Sequence, residues 1–282
     1  MKKYFALMMA LLMLTLAGCA QKTDAPPAGE PEPVEEPATK LDEVKEAGVI
    51  TMCTSPDYAP YEFEDLSKEG QDTYVGADIE LGKYIAEKLG VTLEVKAMDF
   101  NTCLEAVKQG TVDMGIAGFA YKEDRAQSML LVGPYNVGNG YQGLLIPADK
   151  AGEYKTVEDF AGKKIAAQVA TLQYDLVVQQ TPGAEVVTVT TIQDGVMMVQ
   201  TGKVDALCIL STVGEEYTKQ YDTLAMSEVQ YFTMEGTYVL VAKEFAGLAE
   251  ALQPIVEEAD SSGLYAQWVE EGKALAAQLG ID

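Results

Sequence analysis

The chain has no histidine and, among 282 residues, a single arginine, Arg125. Without histidine there is no Ser-His-Asp or Cys-His nucleophile pair, no imidazole general base and no imidazole metal ligand. The four cysteines, Cys19, Cys53, Cys103 and Cys208, are scattered without paired spacing, which leaves no zinc knuckle and no redox dithiol motif. Neither a metal nor a cofactor is expected. Cations are scarce as well: 20 lysines and arginines face 44 aspartates and glutamates, for a net charge of −24. That balance argues against nucleic acid and against an anionic membrane surface as partners. Carboxylate-only chemistry, such as glycoside hydrolysis, survives these exclusions.

A chain that uses lysine everywhere else has kept one guanidinium. Its planar fork grips a carboxylate with two parallel hydrogen bonds, which an ammonium cannot do. Arg125 follows a predicted strand end and a glycine turn, in Ile116-Ala117-Gly118-Phe119-Ala120-Tyr121-Lys122-Glu123-Asp124-Arg125. A surface arginine paired with an acid is the plain reading of such a residue; an anchor for a ligand carboxylate is the sharper one.

The N-terminus reads as a secretory leader, with Lys2 and Lys3 before an apolar run from Tyr4 to Leu16 that is short for a bilayer span. It ends in Leu16-Ala17-Gly18-Cys19, which resembles the lipobox of bacterial lipoproteins. That resemblance implies a signal peptide over 1–18, lipid on Cys19 and an extracytoplasmic body anchored to the cell membrane. Residues 19–40 interleave prolines and glutamates, cannot bury apolar surface and are expected to form an extended, disordered tether.

Beyond Leu41, short apolar strands alternate with amphipathic helices, the pattern of an α/β fold. Val49 to Cys53 and Val91 to Val95 read as strands. Asp78 to Leu89 reads as a helix stopped by Gly90, and Asn101 or Thr102 as the cap of the next, ended by Gly110. Val107-Lys108-Gln109-Gly110-Thr111-Val112-Asp113 recurs as Val199-Gln200-Thr201-Gly202-Lys203-Val204-Asp205. A helix end, a glycine stop and an apolar strand written twice predict two similar α/β lobes. Cys53, Cys103 and Cys208 fall in these elements and are read as small buried residues without a disulfide framework.

Several stretches resemble the type II periplasmic solute-binding proteins, specifically family 3, the amino-acid branch that feeds ABC importers. They are Ser55 to Phe63, Val75 to Leu81, Met98-Asp99-Phe100, Gly110 to Asp113, Ile116-Ala117-Gly118, Glu123-Asp124-Arg125 and Gly133-Pro134-Tyr135. The resemblance implies lobe one over 41–138 plus 237–282 and lobe two over 139–236. Hinge crossings would lie near Tyr141 to Ile146 and Met234 to Val239, with the ligand in the cleft between the lobes. Arg125 would clamp the ligand carboxylate. Tyr58 and Phe100 match the aromatic pair around the ligand side chain, while Ala117 and Gly118 allow close backbone approach. Ala120 and Lys122 stand where threonines are frequent, Lys122 still offering its N–H. Gln168 to Gln173 match a loop opening a helix, where Thr171 and the Leu172 N–H would complete the carboxylate site and Ala170 replaces a glycine.

One departure matters. The strand after the second Val-Asp pair ends, in the family, in an aspartate that holds the ligand's ammonium; here that place falls on Leu210. Either another carboxylate reaches in, with Asp57, Glu62 and Glu235 as candidates, or the ligand is a carboxylate without a free ammonium. Ser55, where some relatives carry an acid, and the aromatic set Tyr58, Phe100, Phe119 and Tyr121 fit an apolar, aromatic or neutral polar side chain better than a cationic one. The implied protein is no enzyme. It is a monomeric receptor that closes on a small carboxylate and docks on a permease driven by an ATPase. A dehydratase-like enzyme and a ligand sensor on the same scaffold are the rival readings.

Overall fold

The computed structural model describes residues 38–138, 140–232 and 236–280, so the expected leader, Cys19, most of the tether, and Glu235 lie outside the described residues. Helix α1 (Lys40–Ala47) begins within the stretch expected to be tether. Thr39 caps it, accepting from Asp42 N while the Asp42 carboxylate accepts from Thr39 N, a reciprocal pair that starts a helix locally.

Two five-stranded sheets follow. The first runs β4 (Thr92–Ala97), β1 (Val49–Thr54), β5 (Met114–Gly115), β12 (Thr237–Ala242) and β6 (Met129–Tyr135). The second runs β9 (Glu185–Val189), β8 (Lys164–Gln168), β10 (Ala206–Leu210), β7 (Gln142–Pro147) and β11 (Leu224–Tyr231). Each sheet has three parallel strands continued by two antiparallel ones, in matching order. The chain leaves the first sheet after Tyr135 and returns to it at Thr237. The stretches expected as hinge crossings overlap β7 and β12, which are full sheet members. A short antiparallel pair, β2 (Phe63–Glu64) and β3 (Tyr74–Val75), stands apart.

Helices α2 (Ala77–Leu89), α3 (Phe100–Lys108), α4 (Glu123–Ser128), α8 (Ala246–Ser261) and α9 (Leu264–Leu279) accompany the first sheet, and α5 (Leu172–Gln180), α6 (Ile192–Gln200) and α7 (Ser211–Gln220) the second. Their apolar stripes close on strands that are buried throughout, such as Ala206 to Ile209. The cap of α3 is Asp99, whose carboxylate accepts from Thr102 N, not Asn101 or Thr102 as the sequence led us to expect. Among the described residues no helix is long and apolar enough to cross a membrane.

The repeated Val-Gly-Val-Asp phrase does the same work in each lobe. Gly110 (φ +65°) and Gly202 (φ +69°) end α3 and α6 in the left-handed region that glycine enters without penalty. Three residues on, Asp113 accepts from Thr51 N at 2.7 Å and Asp205 from Lys164 N at 2.8 Å. Each aspartate thus ties the incoming strand to its parallel neighbour, β5 to β1 and β10 to β8.

One expectation is overturned. Cys53 on β1 and Cys103 on α3 form a disulfide, with Cα atoms 5.6 Å apart, and among the described residues Cys208 is the free cysteine, buried. Fifty residues of sequence separate the pair, and only the packing of α3 onto β1 brings the two Cβ atoms together.

Candidate functional site

A cavity of about 980 Å³, its open mouth included, lies between the two lobes and takes its walls from both. Arg125 lines it, only 3% exposed, on the short helix α4. Its Nη1 donates to Ala120 O at 2.7 Å and its Nη2 to Ala170 O at 2.8 Å, while Nε is buried without a partner. The guanidinium carbon lies 5.4 Å from the Phe100 ring and 5.7 Å from Phe119. No ion pair to Arg125 occurs among the described residues, and burial lowers its pKa to about 10, still leaving it charged at neutral pH. A buried cation over two aromatic faces, with one donor nitrogen wholly unspent, is built to receive an anion.

Of the other residues expected here, Tyr58, Phe100, Ala117, Gly118, Ala120, Gln168, Thr171, Leu172 and Leu210 line the same cavity. Several are already engaged. The Gly118 N–H donates to Asp78 at 2.9 Å. The Thr171 hydroxyl donates to Gln168 O at 2.6 Å and caps α5 by accepting from Tyr174 N. What α5 offers the cavity is its opening turn at Leu172 and Gln173, where helical N–H groups lack intrahelical partners. Ala170, before that turn, sits at φ +64°, a conformation glycine adopts freely and alanine does not.

Three expected wall residues stand elsewhere. Lys122 is absent from the wall because its backbone opens α4 and its ammonium reaches Asp175 of α5 at 2.8 Å, an ion pair across the cleft. Phe119 is fully buried beneath Arg125. Tyr121 turns out to donate to Glu123 and pack near Tyr238.

Two of the three candidate carboxylates, Asp57 and Glu62, reach the wall. Asp57 lines the cavity with both oxygens occupied: Oδ1 accepts from the Ser55 hydroxyl and Oδ2 from Ile192 N, the first residue of α6 in the opposite lobe, both at 2.9 Å. Burial raises its pKa, and those two donors hold it down. Glu62 is 1% exposed, lines the cavity, and has Oε2 without a partner. Its carboxyl hydrogen-bonds that of Asp78, which is fully buried and also accepts from Tyr265 OH at 2.6 Å, Tyr135 OH at 3.1 Å and Gly118 N. Burial, then the charges of Asp78 and Asp57, push Glu62 well above the carboxylate range. Burial raises Asp78 too, but its three other donors hold it down, so of the two carboxyls Glu62 is the one pushed further towards the protonated form.

The two acids meet because α2 starts against the loop that carries Tyr58 to Glu62. Ala77 N and Asp78 N donate to Pro60 O and Tyr61 O, and a Cβ on Gly76 would collide with the Tyr61 carbonyl. Only glycine permits that approach. Sequence reasoning passed over Tyr61, Asn136, Tyr141, Gln142, Ile192 and Thr237, which also line the cavity. Tyr141 and Thr237 fall in the stretches expected as hinge crossings, the one signal that marked them. Tyr61 OH and Thr212 Oγ1, from opposite lobes, are hydrogen-bonded at 2.9 Å.

Comparison with known proteins bears on what such a cleft is for. A profile of the bacterial extracellular solute-binding proteins, family 3, matches residues 50–271. The chain is similar to the arginine-binding extracellular protein ArtP of Bacillus subtilis, 31% identical over 177 residues, covering 62% of this chain and 66% of that protein. The structure is similar to an amino acid ABC transporter substrate-binding protein from Streptococcus pneumoniae bound to L-arginine. That match has a TM-score of 0.78 at 27% identity and covers 84% of this chain and 98% of the other. It is also similar to an ancestral amino-acid-binding protein, a precursor of cyclohexadienyl dehydratase, with a TM-score of 0.74 at 25% identity over 83% of this chain and 99% of that one.

Proposed function

Since the chain belongs to the bacterial extracellular solute-binding proteins, family 3, we propose that it is the receptor of an amino-acid ABC importer. It acts outside the cytoplasm as a monomer, tethered through lipid on Cys19. Arg125 takes the ligand's carboxylate. The observation that carries this reading is the buried guanidinium with a free Nε in a cavity shared by two lobes. Ligand bound there joins the lobes, because the first supplies Arg125 and the second the opening turn of α5, and only the closed form supplies both. The closed body is what a membrane permease and its ATPase read.

Glu62 supplies what Leu210 lacks. Of the two wall carboxyls, Asp57 is spent on Ser55 and Ile192, so Glu62 is the one with an oxygen to offer a cationic nitrogen. Phe119 and Tyr121 leave the wall while Asp57 and Glu62 join it. The charge balance thereby moves from a neutral side chain towards a basic one, in line with the relatives named for arginine. A second reading has one observation behind it: a carboxyl held protonated in the cavity could act as a general acid, and an ancestral dehydratase precursor shares the fold.

Calorimetric titration with the twenty amino acids and a set of carboxylates lacking an amino group tests both readings. Basic amino acids should bind tightest, and Arg125→Lys should weaken them by about 10-fold or more, since the bidentate grip is lost. Equal affinity in the two proteins removes Arg125 from the site. Conversion of a bound carboxylate to product would favour the enzyme.

A further inference from the structure

We propose that the Cys53–Cys103 disulfide is a positioning element of the binding site: it sets the aromatic wall on which Arg125 rests. This rests on the reading of the cavity as an amino-acid site. Phe100 opens α3, a helix of 9 residues that would be marginal by itself. Its buried face carries Phe100, Cys103, Leu104 and Val107, so the phenyl ring and the bonded sulfur lie one turn apart on the same side. The Phe100 ring lies 5.0 Å from that of Phe119, and the two rings together form the surface under the guanidinium. Among the described residues no acid pairs with Arg125, so the rings, together with the carbonyls of Ala120 and Ala170, fix where its free Nε points.

The sulfur bridge stands directly beneath that surface. A methyl group added at Gly115 would lie 3.1 Å from Cys53 Sγ and 3.2 Å from the Phe119 ring, so the bridge, the ring and the strand already pack without spare room. Both cysteines are fully buried in one apolar cluster with Phe100, Ala117 and Phe119, and Ala170 of the opposite lobe packs on the same cluster. The other end of the bridge is on β1, which leads within a few residues to Ser55, Asp57 and Tyr58 on the cavity wall. One covalent bond therefore joins the segment that carries Tyr58 to the helix that carries Phe100. Packing holds α3 near β1, and the bond adds a covalent limit on any shift of α3 along the sheet.

The test is a double-mutant cycle on arginine affinity, read by calorimetry in the full chain. The pair Cys53→Ala with Cys103→Ala is made in the native background and again in Phe100→Leu. If the bridge acts through the Phe100 wall, breaking it weakens arginine by about tenfold in the native background, since small misplacements of positioning groups cost this much or more. In Phe100→Leu, where the wall is already lost, the further loss should stay within about twofold. Should the alanine pair fold poorly, Cys53→Ala with Cys103→Val refills the space and serves the same comparison. Equal losses in both backgrounds, or a thermal shift with unchanged affinity, overturn the proposal and leave the bridge a stabilising bond only. A native protein that binds none of the amino acids overturns the functional reading, and this inference with it.

Discussion

Replacing Glu62 by glutamine should separate the cavity's acid from its shape. The side chain is 1% exposed and keeps its outline as an amide, which can still donate to Asp78 in place of the shared proton. What disappears is the ability to ionise. Burial and two neighbouring carboxyls raise the Glu62 pKa, so the folded empty protein prefers the protonated form. The sign follows from linkage. Glu62 supports the empty fold fully below the ordinary carboxylate range, and that support is lost as pH rises through the raised value. A ligand cation prefers the opposite state, so binding at Glu62 expels a proton and affinity climbs with pH across that window, by about tenfold per unit. A hydrogen bond to a charged partner contributes about 1.5–3 kcal/mol, so on the alkaline side Glu62→Gln should lose about 10- to 150-fold in affinity. On the acid side the two proteins should converge. Titration from about pH 5 to about pH 9 in buffers of different ionisation enthalpy counts the protons released. Parallel pH profiles for the two proteins, with no proton released by either, would refute the assignment of the cation to Glu62.

Other consequences concern stability and closure. Breaking the Cys53–Cys103 bridge, which closes a separation of 50 residues, should cost about 4 kcal/mol on the chain-entropy account, measurable by urea unfolding of the alanine pair. Ala170→Gly relieves a left-handed alanine and should stabilise the fold by up to about 1 kcal/mol, seen as a higher melting temperature. Lys122→Met removes the ion pair to Asp175 across the cleft. Ligand affinity should drop by no more than about fivefold, and its dependence on salt should become shallower, which a titration at two ionic strengths would show.

The parts of this molecule that a sequence displays are those decided by local chemistry. Val-Gly-Val-Asp repeated twice foretold two lobes because each glycine must enter the left-handed region and each aspartate must bridge to the neighbouring strand. Arg125 was conspicuous because no other arginine exists in the chain. The cap of α3 was misplaced by a few residues, since Asp99, Asn101 and Thr102 are all good caps and only geometry selects among them. Contacts between distant segments were invisible. The bridge from Cys53 to Cys103 depends on how α3 lies on β1. Whether Phe119 faces a ligand or supports the arginine depends on how the loop after β5 turns past the cavity. The neutral Glu62 was hidden most deeply: its proton depends on Asp78, on two tyrosines that hold Asp78, and on burial by both lobes.

The central claim is that the guanidinium of Arg125 receives the acid group of an amino acid inside the interlobe cavity. A crystal structure of the protein with arginine bound tests it most directly. One carboxylate oxygen should lie about 3 Å from Arg125 Nε, with the ligand's second oxygen towards the first turn of α5. A ligand whose carboxylate lies elsewhere, with Arg125 still bonded only to the carbonyls of Ala120 and Ala170, would contradict it.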